Sequence, residues 1–161
     1  MAGITHALNA VADGLRLPLE FSADGPRRPL APLPEPGEVA PEVKDVLEEV
    51  AAFYAMDHPP AVFRWMARDP GFLGGYWGAT REAFVDRTLD RAMKEILALA
   101  CSLTGKSDYG VDLHLREARR LGLSDRALTE VVQVVQLFNT VTKIADALNL
   151  GPDFDPRARP G

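Results

Sequence analysis

A chain of 161 residues, 47% hydrophobic and 25% charged, suffices for one globular domain with a real core and is short for two. Its formal charge of -5 argues against a nucleic-acid surface, which needs clustered Lys and Arg, and no apolar run approaches the ~20 residues of a membrane span. The single cysteine, Cys101, permits no internal disulfide and supplies no metal cluster alone.

Residues 1–40 read as an arm. Met1 to Leu19 lack the basic region and continuous apolar core of a signal peptide, so the expected location is cytoplasmic. Pro18, Pro26, Pro29, Pro32, Pro34 and Pro36 remove backbone donors and fix φ, which rules out a continuous helix or central strand over Gly25 to Glu38. Leu15, Leu17, Leu19, Phe21, Leu30 and Leu33 are apolar enough to favour an arm wrapped on the body or a neighbouring subunit over a disordered one.

A helical domain is expected over residues 41–151, with a tail over 152–161. Pro41 suits a first helical position, and Val43, Val46, Leu47, Val50 and Phe53 or Tyr54 make a stripe that should stop near Asp57, before His58-Pro59-Pro60. A short helix follows from about Ala61 to Ala67. A third runs from Pro70 towards Phe84, loosened by Gly74, Gly75 and Gly78. Within it Tyr76 and Trp77 are candidate substrate-binding residues forming a pocket wall, or else aromatic core anchors.

The next helix, about Thr88 to Leu103, is apolar around too much of its surface to lie outside and reads as central. Ser107 is a plausible N-cap for a helix to Arg120, stopped by Gly122; the Arg116–Arg120 stretch, interrupted by Glu117, reads as a solvated face. Ser124 caps a final helix reaching about Leu148. It is apolar round most of its circumference, which one small domain can rarely cover, so a homo-oligomer is expected. No strand periodicity competes, and the class is all-α.

Glu95 lies on the central helix, and Ser107, Gly110 and His114 follow it at offsets of twelve, fifteen and nineteen. A buried Glu95 needs a partner, and His114 can be that partner in a structural pair or an acid–base one. This spacing, with Lys94 to Ala100, the Leu121-Gly122-Leu123-Ser124-Asp125 link and the closing Ala145-Asp146, resembles the AhpD-like and carboxymuconolactone decarboxylase family. Redox members of that family carry Glu, Cys, Cys and His at the four places. The resemblance implies an AhpD-like helical bundle, here with a proline-rich N-terminal arm, and a trimer or hexamer.

Ser107 and Gly110 stand where the two cysteines would be, and neither does thiol chemistry, so two-cysteine peroxide reduction is excluded. Cys101 sits in an apolar run and is expected to be buried and structural; a one-cysteine peroxidase is the remote reading. The decarboxylase branch uses acid–base chemistry without a cofactor. The resemblance therefore implies a lyase or isomerase acting on a small organic acid, lactone or carbonyl compound, with Glu95 and His114 catalytic. Tyr109 joins them as an oxyanion donor or a cap on the pocket.

Ser107, Asp108, Gly110 and Asn139 complete the candidate substrate-binding set. Asp108 and Asp112, one turn apart near His114, make too small a donor set for a metal, and no metal or cofactor is expected. His6 and His58 read as loop or surface residues. A non-catalytic oligomeric binding or scaffold protein is the rival reading.

Overall fold

A computed structural model describes residues 31–35 and 38–151. Most of the arm, including its apolar residues up to Leu30, and the tail lie outside the described residues. Among those described there are six helices and no strand: α1 (Pro41–Phe53), α2 (Ala61–Met66), α3 (Pro70–Phe84), α4 (Arg91–Thr104), α5 (Asp108–Arg120) and α6 (Asp125–Ala147). The class is all-α. No helix is long and apolar enough to cross a membrane.

Side chains start most of these helices. Asp69, Asp90, Ser107 and Ser124 each accept from the amide three residues on, satisfying a donor with no partner inside the helix. Asp90 explains why α4 begins at Arg91 and not near Thr88: its carboxylate binds the Met93 amide at 2.7 Å. The first helix also ends earlier than its stripe suggests. Tyr54 closes it and Ala55 turns left-handed at φ 48°, well before the prolines.

The larger core joins α1, α2 and α3 around Val50, Tyr54, Phe63, Met66, Leu73 and Trp77, and α5 contributes Tyr109 and Leu113 to it. A smaller core of Leu99, Ala118 and Leu128 ties α4, α5 and the start of α6. The arm enters the larger one, with Leu33 packed on it and the Pro32 carbonyl accepting from Arg68. Of all helix pairs, α4 and α5 pack most extensively. Ala98, Ser102 and Gly110, all small and buried, allow that approach.

Beyond Leu128, α6 buries none of its residues. Leu137, Phe138 and Leu148 are each about 60% exposed, at 59%, 60% and 64%. Leu103 on α4 and Val132, Val135, Asn139, Lys143 and Ile144 on α6 line a groove of about 720 Å³.

Candidate active site

The α4–α5 contact brings Glu95 and His114 together. Both are buried, and Glu95 Oε2 lies 2.7 Å from His114 Nδ1. The other ring nitrogen, Nε2, is buried without a hydrogen-bond partner. An imidazole whose Nδ1 is bonded to a carboxylate keeps its remaining nitrogen as the chemically available one. The Phe84 ring lies parallel to the imidazole within 6°, with centroids 6.1 Å apart.

Around this pair stands an ion cluster that the sequence pattern disguised. Arg91 Nε and Nη2 each lie 2.7 Å from Glu95 Oε1, and Nη2 also reaches Glu117 Oε2 at 3.2 Å. Glu117 is fully buried, correcting the expectation of a solvated face over Arg116–Arg120. Arg116 and Arg120 both bind it, Arg120 Nη2 at 2.8 Å, and Arg116 also donates to the carbonyls of Tyr54 and Ala55 at 2.7 and 3.0 Å. The bond to Glu117 raises the Arg120 guanidinium further above its ordinary pKa. Burial first, and then the Glu95 carboxylate, push the Tyr54 phenol well above its ordinary value.

The positions that sequence spacing singled out divide into several places. Ser107 Oγ accepts from the Gly110 amide at 3.2 Å, so the first vacated cysteine position serves as the α5 cap and the second supplies its donor. Tyr109 is buried in the larger core, its hydroxyl 3.4 Å from the Val62 amide. Asp108 is exposed. Trp77 is buried between Phe53 and Phe63 and donates to Glu49 at 2.6 Å, while Tyr76 lies between Phe63 and Phe72. Asn139 belongs to the α6 groove, 3.5 Å from Thr104 Oγ1. Cys101 is half-buried, not fully enclosed as its apolar neighbours suggest.

Sequence reasoning passed over Arg91, Glu117 and Phe84. For the first two a signal existed: Arg91 precedes Glu95 by four residues and Glu117 follows His114 by three, one helical turn in each case. No group of three or more His, Cys, Asp and Glu that could hold a metal ion occurs among the described residues.

A sequence model of the carboxymuconolactone decarboxylase family matches residues 70–151, just over half of the chain and the part that carries Arg91, Glu95, Ser107, Gly110, His114 and Glu117. In structure the chain is similar to the alkylhydroperoxidase AhpD core from Rhodospirillum rubrum ATCC 11170. The two are 26% identical with a TM-score of 0.66, over 70% of this chain and 84% of that one. No curated protein matches it in sequence.

Proposed function

This chain belongs to the carboxymuconolactone decarboxylase family, and on that premise we propose that it is a cofactor-free acid–base enzyme of lyase or isomerase type. Its substrate is a small organic acid, lactone or carbonyl compound. The observation that carries this reading is His114, held through Nδ1 by a buried carboxylate while Nε2 is buried without a hydrogen-bond partner. An unpartnered buried polar atom costs about 1–3 kcal/mol, a cost that a purely structural imidazole has no reason to bear.

In the proposed reaction Nε2 moves a proton to or from the carbon next to the substrate carbonyl. Glu95 accepts the Nδ1 proton throughout and stabilises the imidazolium while it exists. The enolate oxygen faces the start of α5, where the amides after Ser107 and the Tyr109 hydroxyl are the candidate donors. Migration of a double bond forms this enolate by moving a proton to Nε2 and ends when Nε2 returns it to another carbon. Loss of carbon dioxide from a β-keto acid instead breaks the carboxyl C–C bond to give the same kind of enolate, which a protonated Nε2 then protonates.

The test is deuterium uptake and carbon dioxide release from a pool of small carboxylates, lactones and ketones in D₂O, followed by mass spectrometry. Protein-dependent exchange that disappears in Glu95→Gln and His114→Ala is the expected result. Turnover of an identified substrate that survives both substitutions would remove the reading. The rival, a non-catalytic oligomeric binding or scaffold protein, draws on the burial of Ser107, Tyr109 and His114, which closes the vacated site in the single chain. It predicts ligand retention without exchange.

A homo-oligomer completes the proposal. The bare α6 face and the exposed Leu89, Met93 and Leu97 at α4 form two different apolar surfaces on one chain. Pairing one with the other on the next copy covers both, and a trimeric ring is one closed arrangement that does so. A hexamer of two such rings also fits.

A further inference from the structure

We propose that Arg91 is a positioning residue that fixes the ring state of His114 by holding Glu95. The inference rests on the acid–base reading for its catalytic consequence, but not for its structural one.

Arg91 stands where helix electrostatics disfavours it. It is the first residue of α4, at the positive end of the helix dipole, and it precedes Glu95 by four residues, the weaker order for such a pair. Its place is therefore explained by what it reaches outside α4. The guanidinium carbon lies 3.8 Å above the Phe53 ring centroid and 5.0 Å from that of Phe84, and the side chain is 13% exposed. Wedged there, it joins Glu95 on its own helix to Glu117, which lies one turn beyond His114 on α5. The clamp thus spans both helices that carry the acid–base pair.

The charges divide in a way that leaves Arg91 available to Glu95. Glu117 has Arg116 and Arg120 as further partners, so three guanidinium groups face two carboxylates, with the Tyr54 phenol beside them. A guanidinium fork on Oε1 stops the carboxylate from rotating. A carboxylate oxygen held against Nδ1 accepts its hydrogen bond, so the shared proton sits on Nδ1 and Nε2 is the nitrogen left without a partner. Without the fork, Glu95 can turn away from Nδ1, and the ring loses its single form.

The experiment is nitrogen-15 NMR of the imidazole rings in the full chain, with His114→Ala used to assign the His114 signals. Two variants are compared with the wild type: Arg91→Lys, which keeps the charge and loses the fork, and the double variant Arg91→Gln with Glu117→Gln, which removes the bridging pair. The wild type should show a single ring form, protonated on Nδ1. Arg91→Lys should add the second tautomer, and the double variant should add more of it.

With a substrate in hand, kcat for Arg91→Lys should fall about 10- to 100-fold while KM changes little. An unchanged ring pattern in whichever variant folds, judged by circular dichroism, overturns the proposal, as does a wild-type ring not protonated on Nδ1. Turnover unaffected by His114→Ala would instead remove the acid–base reading and leave the ring measurement standing.

Discussion

Glu49 and Glu117 each accept from more than one donor at short range, and water decides what those contacts are worth. Glu49 takes the Trp77 indole at 2.6 Å and Arg81 at 2.7 Å, but its side chain is 49% exposed. The indole bond first, and then Arg81, hold its carboxyl below the ordinary 4.5. Because folded Glu49 binds its proton more weakly, its contribution is full above 4.5 and is lost as pH falls below that. Glu49→Gln should therefore cost less than about 1 kcal/mol in urea unfolding at neutral pH, and the difference should vanish in acid. Glu117→Ala should cost about 3 kcal/mol in the same measurement, because Arg91 is left enclosed with one carboxylate fewer.

That contrast also marks how far side-chain chemistry was legible. The Glu95–His114 pair was legible because its spacing resembles the family's and because a buried Glu95 needs a partner. The burial of Glu117 was hidden, because a glutamate among arginines at 116, 119 and 120 has the composition of a wet surface. Only the tertiary approach of Arg91 and the Tyr54 carbonyl turns that stretch inward.

At the scale of elements, one ending recurs. α1, α4, α5 and α6 are followed by Ala55, Lys106, Gly122 and Asn149, all at positive φ, and these are the only positive-φ residues among those described. In each case the next amide reaches back to a carbonyl in the last turn, as Ser107 does to Ser102 at 3.0 Å and Leu123 to Ala118 at 3.0 Å. Gly122 announced its turn in the sequence. Ala55 and Lys106 did not, because neither residue type favours the left-handed region, and so α1 ends before the Asp57 that its flanking prolines suggest. Lys106→Gly should relieve this strain and raise stability by about 1 kcal/mol, read as a higher urea midpoint at unchanged slope. Gly122→Ala, at φ 92°, should lose a similar amount. The glycines of α3 work in the opposite sense: the helix runs unbroken through them, and a Cβ at Gly74 meets nothing within 4 Å. Gly74→Ala should add roughly 0.5–1 kcal/mol from helix propensity alone.

For the whole molecule the decisive quantity is apolar surface that one chain leaves wet. By the standard rise per residue α6 is about 34 Å long, and among the described residues its apolar packing on the smaller core comes from Leu128 and Val131 in its first turns. Val134, Leu137, Phe138, Val141, Ile144 and Leu148 all lie at or above about half exposure. At ~25 cal/mol per Å², leaving several such side chains in water forfeits several kcal/mol, more than an isolated helix of this length recovers from its own hydrogen bonds. A partner helix restores that energy, and the bare Met93–Leu97 face of α4 is a chemically matching one. Phe138→Glu places a charge in the middle of that contact and should lower the mass measured by light scattering to that of one chain. In the wild type, the thermal midpoint should rise with protein concentration, as linked association requires, and the variant should lose this dependence. A wild-type chain that is monomeric at every concentration, with a midpoint that does not move, would remove the ring argument.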